Sequence, residues 1–164
     1  MISTTHITTG AAVGLAVVAL LPNPVLALPI AFGLGLVSHH ILDMIPHTDP
    51  GSFRSNPNDV GPAKPKELLF AIPDNLIGTA IILAVFLTRQ PSWPMLLGAA
   101  GGNMPDVWHN VGLWSDYTRK KIWPGYFTFH ETNHSTARGN LIPLGIVTNL
   151  VLILGSLYFI LHLS

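Results

Sequence analysis

The chain has 164 residues, a formal net charge of zero, 10% Asp, Glu, Lys and Arg, and a mean hydropathy of +0.47. A soluble domain of this size carries about 25% charged residues, so the low charge points to a membrane protein and excludes a wholly disordered chain. Eight basic residues matched by eight acidic ones leave no basic excess for nucleic acid. The absence of cysteine removes disulfides, thiolate metal sites and a Cys nucleophile.

Five apolar stretches approach the roughly 20 residues that a membrane crossing needs. The first, about 4 to 21, is rich in Ala, Val, Gly and Leu, and Pro22-Asn23-Pro24 turns it into the second, about 25 to 42. No basic residue precedes the first stretch and another apolar helix follows directly, so it reads as one arm of a helical hairpin and not as a removed signal peptide. Gly10, Gly14, Gly33 and Gly35 suit close helix contacts in a bilayer.

A polar, Pro/Gly-rich segment follows, about 43 to 66, and then a third stretch at about 67 to 88. The fourth, about 93 to 113, is weaker and interrupted by Gly101-Gly102-Asn103 and Pro105. A second polar segment, about 114 to 140, sets Trp114, Tyr117, Trp123, Tyr126 and Phe127 beside Arg119, Lys120 and Lys121, as suits the headgroup level. The fifth stretch, about 141 to 163, has no charged residue. The expected fold is therefore all-α, a single integral-membrane bundle over residues 1–164 with about five spans.

Five spans put both polar segments and the N-terminus on one side. Arg54, Lys64, Lys66, Arg119, Lys120, Lys121 and Arg138 lie there, and Arg89 lies opposite. Basic residues stay cytoplasmic, which predicts an inner-membrane protein with its N-terminus inside and its C-terminus outside. The same counting places His6, His39, His40, His47, His109, His130 and His134, with Asp43, Asp74 and Asp106, at the inner face. His162 falls at the other end, where it reads as an interfacial residue.

Helical spacing puts His39 and Asp43 on one face, four apart, and Asp106 and His109 together, three apart. Imidazole and carboxylate donors suit a divalent ion, with Zn favoured and Mn or Fe as further candidates. Ionisable groups at membrane depth are costly and mark functional sites. The candidate ligands are His6, His39, Asp43, Asp74, Asp106, His109, His130 and His134. His39 is preferred over His40 for its relation to Asp43, and His47 and Asp49 stay open between site and loop residues. Glu131 and Asp106 are the candidate proton carriers.

His130-Glu131-Thr132-Asn133-His134 matches H-E-x-x-H, which a zinc protease presents on a regular helix. Pro124-Gly125 before it, the weak helix formers Thr132 and Asn133, and Gly139 after it argue against that setting. A non-enzymatic metal-binding protein is the other alternative.

Several segments resemble a family of bacterial inner-membrane proteins, the membrane-bound predicted metal-dependent hydrolases whose LexA-regulated members give the family its usual description. The run Ser38-His39-His40-Ile41-Leu42-Asp43-Met44-Ile45-Pro46-His47 resembles its S-H-x-x-x-D segment. Thr5-His6 with Gly10 resembles its N-terminal His, and Pro105-Asp106-Val107-Trp108-His109 its P-D-x-D-H segment, with Trp108 in place of the second Asp. His130 to Ser135 resembles its H-R-G-x-T-H-S segment, one residue shorter. Short members of unassigned activity, with T-H, S-H-x-x-L-D-x-x-P-H and P-D motifs, are more similar still. The resemblance implies a metal-dependent hydrolase. Through a likeness of that family to zinc phospholipases C, it also implies a phosphoester or lipid-like substrate, whose anionic headgroup Lys120, Lys121 and Arg138 would attract.

Overall fold

Prolines open three of the helices. In a computed structural model, which describes residues 1–21, 23–56, 63–89, 91–110, 117 and 121–163, Pro24, Pro65 and Pro124 each stand in the first turn, where a missing N–H costs nothing. The helices are α1 (Ser3–Leu20), α2 (Pro24–Asp43), α3 (Pro65–Thr88), α4 (Trp93–Asn110), α5 (Pro124–Asn133) and α6 (Ile142–Leu163). Single 3-10 turns stand at Pro50–Phe53 and Gly139–Leu141. No strand occurs among the described residues. Asn23 caps α2 by accepting the Val25 N–H at 3.0 Å, and the Glu67 carboxylate closes the start of α3 by accepting the Lys64 N–H at 2.8 Å. Pro22, Trp114, Arg119, Lys120 and the end of the fourth expected stretch lie outside the described residues.

Four segments are long and apolar enough to cross a membrane: Ser3–Leu20, Pro24–Asp43, Pro65–Thr88 and Gly139–Leu163. α4 is not among them, because Gly, Asn, Asp and His lower its hydropathy. It still has an apolar outer face in Ala100, Met104 and Val107. α1 is the central element, with 67% of its residues buried against 11% for the most apolar window of α3. α1 carries Thr4, Thr5, Thr8 and Thr9, whose polarity is satisfied inside the bundle. The Thr8 hydroxyl donates to the Thr4 carbonyl at 2.9 Å, and the Thr9 and Ser156 hydroxyls are 3.0 Å apart. The outer helices turn Leu, Ile, Val and Phe side chains outward, as a lipid solvent favours.

Contacts between α1 and its neighbours give the directions. Gly10 meets Gly98 and Gly14 meets Pro94, so α1 and α4 are antiparallel. Thr4 meets Asp74 while Ile7 meets Gly78, so α3 runs with α1; Thr5 meets Asn149 and Thr9 meets Ser156, so α6 does too. Gly35 meets Gly98, and His39 meets the Gly102 carbonyl, so α2 runs with α4. Hence the N-terminal ends of α1, α3 and α6 and the C-terminal ends of α2 and α4 share one end of the bundle.

The glycines of α4, expected to interrupt a span, are instead its packing surface. A Cβ at Gly98 would strike the Gly10 carbonyl, one at Gly101 the Phe32 carbonyl, and one at Gly102 the His6 carbonyl. Gly10, Gly14 and Gly35 pack as expected, whereas Gly33 has open space around it. Gly98→Val is therefore expected to destabilise the protein by roughly 3 kcal/mol, read as a lowered unfolding midpoint in detergent. Gly33→Val should leave that midpoint in place.

Candidate metal centre

Asp43 ends α2, and its backbone carbonyl accepts the Ser135 N–H at 2.7 Å. Beyond it the chain pairs with the segment after α5: the His47 N–H donates to the Ser135 carbonyl at 3.2 Å, and the Ala137 N–H to the His47 carbonyl at 2.7 Å. Gly145 lets this double layer lie on α6, since a Cβ there would strike Thr48. The Asn149 amide donates to the Thr48 carbonyl at 2.7 Å and accepts the Thr5 hydroxyl at 3.2 Å. The two polar segments thus form a fixed cover over the end of the bundle.

Under this cover the Asp43 side chain is 2% exposed, and His6, His39 and His47 are fully buried. Asp43 Oδ2 lies 2.9 Å from His39 Nε2 and 3.2 Å from His130 Nε2, and those two nitrogens are 3.2 Å apart. Asp106 Oδ1 is 3.9 Å from His39 Nε2, and the other Asp106 oxygen is 3.8 Å from His6 Nε2. On the opposite carboxylate oxygen, Asp43 Oδ1 lies 3.1 Å from His6 Nε2, 3.6 Å from His134 Nε2 and 3.8 Å from His47 Nε2. The Met1 amino group is 2.9 Å from the same oxygen. Burial works against the charge of that amino group, but Asp43, Asp49 and Asp106 raise its pKa.

Hydrogen bonds on the far side of each ring decide what its near side offers. His39 Nδ1 is 2.8 Å from the Gly102 carbonyl, and His47 Nδ1 is 2.7 Å from the Ile45 carbonyl. A carbonyl only accepts, so Nδ1 carries the proton in both rings, and a neutral ring turns its Nε2 lone pair toward Asp43. His134 follows the same rule through a hydroxyl. Its Nδ1 is 3.0 Å from Thr136 Oγ1, which itself donates to Asp49 Oδ2 at 2.8 Å. Burial, with the neighbouring amino group, pushes the His134 pKa down to about 2, which keeps the ring neutral.

Lone pairs facing a carboxylate at such distances call for a cation between them. A tetrahedral site with bonds of about 2.0–2.1 Å has edges of about 3.3–3.4 Å, close to the triangle of His39, His130 and Asp43. His6 Nε2, His47 Nε2 and Asp43 Oδ2 are buried without a hydrogen bond of acceptable geometry. Each such group costs about 1–3 kcal/mol if left so. The donor set therefore fits a divalent ion. Among the described residues, three groupings have all their donor atoms within 4.8 Å of one another: His39, Asp43, Asp106 and His130; Asp43, His47 and His134; and His39, His40 and His130.

Some expected residues stand elsewhere. Asp74 belongs to none of these groupings. Its carboxylate accepts the Thr4 N–H at 3.3 Å and the Thr4 hydroxyl at 2.6 Å, and so caps α1, which has no side-chain cap of its own. His109 is buried one layer out, 3.8 Å from Glu131 Oε1, with its ring centroid 5.0 Å from that of His130. His40 is half-buried and packs edge-on against Tyr126 and Phe129, while its neighbour His39 points inward. His162 stacks on Tyr158 at the far end. His47, Asp49 and Thr136 are drawn in by the pairing of the two polar segments, and only the four-residue step from Asp43 to His47 hinted at it.

The H-E-x-x-H match is not a helical zinc motif. α5 ends at Asn133, and His134 is extended, with φ −86° and ψ 117°. His130 and His134 consequently address different oxygens of Asp43. Beside the cluster opens a cavity of about 330 Å³, lined by Asp106, His109, His130, Glu131, His134 and Arg138 among others.

Comparison with protein-family models, with curated proteins and with solved structures gave no match. Fold and site together define a class: an all-α bundle with membrane-length apolar helices that holds a His/Asp cluster fit for a metal at one end.

Proposed function

We propose that the protein is a metal-dependent hydrolase of the cytoplasmic membrane that cleaves phosphoesters, including lipid-like ones. The observation that carries this reading is the set of imidazole nitrogens around Asp43, opening onto a cavity lined by further carboxylates and Arg138. A divalent ion supplies an acidified water and neutralises charge on phosphoryl oxygens. Zn fits the N/O donors best, with Mn or Fe as substitutes. His39, Asp43, Asp106 and His130 would hold it, Glu131 would carry a proton, and Arg138 would hold the anionic group. α1, α2, α3 and α6 cross the bilayer, with α4 as the fifth crossing. Arg54, Lys64, Lys66, Lys121 and Arg138 at the site end support a cytoplasmic side for that end and for the N-terminus. A site at headgroup level suits a substrate that stays in the bilayer.

Transport is disfavoured by what lies beneath the site. Ile7, Ala11, Leu15, Ile82, Met95, Ala99 and Ile160 form a dry core between the cluster and the far end of the bundle. The test is turnover of bis(p-nitrophenyl) phosphate and of phospholipid vesicles by protein purified in detergent. Activity should vanish with a chelator and return with Zn(II) or Mn(II). Stoichiometric metal without turnover of either substrate would leave a metal-binding protein and end the hydrolase reading.

A further inference from the structure

We infer that the centre is dinuclear, with Asp43 bridging two divalent cations through its two carboxylate oxygens. The inference rests on reading the cluster as a metal site, and adds a second site built by the polar cover. The first ion belongs to Oδ2, with His39, His130 and Asp106. The second belongs to Oδ1, with His47 and His134.

Three observations carry the second site. His47 is fully buried, and its Nε2 has no hydrogen-bond partner of acceptable geometry, while its Nδ1 proton is fixed on the Ile45 carbonyl. A buried imidazole oriented this way turns its lone pair toward carboxylates, Asp49 Oδ2 at 3.4 Å and Asp43 Oδ1 at 3.8 Å, as a metal ligand does. His134 is oriented by the relay through Thr136 to Asp49, the arrangement by which outer carboxylates set metal-bound histidines. Finally, a second buried carboxylate stands beside these rings, with Asp49 Oδ2 3.4 Å from His47 Nε2 and 3.6 Å from His134 Nδ1, so this side of Asp43 carries negative charge for a cation. Two-metal phosphoester sites hold their ions about 3.5–4 Å apart, a separation that one carboxylate can bridge. His6, 3.1 Å from Oδ1 and 3.8 Å from Asp106, borders both positions.

The test is metal content per chain, with Zn(II), and the EPR spectrum of the Mn(II)-loaded protein. Wild type should hold two ions and show an exchange-coupled Mn(II) signal. His47→Ala should hold one and give the spectrum of an isolated ion. Thr136→Val, a milder change that keeps both ligands, should weaken one of the two sites by about 10–100-fold. One ion per wild-type chain, with the ammonium as the only other cation, would overturn the inference, as would two tightly held ions in both variants. Two ions without phosphoester turnover would keep the dinuclear centre and remove the hydrolase reading. One ion with turnover would do the reverse.

Discussion

Asp43→Asn is expected to strip the protein of metal and of the proposed phosphoester turnover together. The carboxylate faces two sets of nitrogens, one on each oxygen. His39 and His130 approach one oxygen, and His6, His47 and His134 the other. An amide of the same size removes the negative charge that a cation needs, and its N–H can donate to an Nε2 lone pair that would otherwise face the ion. The loss of affinity should exceed the roughly 10–100-fold that removal of an outer partner costs. Asp74→Asn is the informative contrast, since both carboxylates are close to α1 and both were candidate ligands. Asp74 holds the Thr4 N–H and hydroxyl. Its loss should cost about 1 kcal/mol, as loss of a helix cap does, with the metal content unchanged. Metal analysis beside thermal unfolding separates the two. Retention of full metal by Asp43→Asn would refute the centre as described, and loss of metal from Asp74→Asn would restore Asp74 as a ligand.

The contrast also marks where sequence reading stops. Hydropathy and parity of the spans brought His6, Asp43, Asp106, His130 and His134 to one end of the bundle, because membrane length leaves little freedom over which ends meet. Helical spacing selected His39 over His40 for the same reason: a rigid α2 can turn only one of two adjacent rings toward the residue four positions on. The position of Asp74 in its span says how deep it lies but not which neighbour it meets, and that neighbour is Thr4. His47, Asp49 and Thr136 were undecided because segments without periodicity show no facing direction until they pair. The glycines of α4 read as a weak point along the chain, yet they let that helix approach α1 and α2 closely enough to bring the Gly102 carbonyl to His39.

Proton transfer and metal binding are expected to separate at Glu131 and Asp106. Glu131 lines the cavity with its side chain 27% exposed, beside His109 and outside the donor groupings. Glu131→Gln should keep the metal content of wild type and lower kcat for phosphoester cleavage by about 10²–10⁴-fold, the usual worth of a positioned proton carrier. Asp106 stands within the ligand distance range of His39 and inside one grouping. Asp106→Asn should therefore weaken metal binding first, and excess Zn(II) should restore part of its turnover. Excess Zn(II) should do nothing for Glu131→Gln. If added metal rescues Glu131→Gln instead, Glu131 belongs among the ligands and the proton carrier is Asp106, another acidic group of the cavity wall.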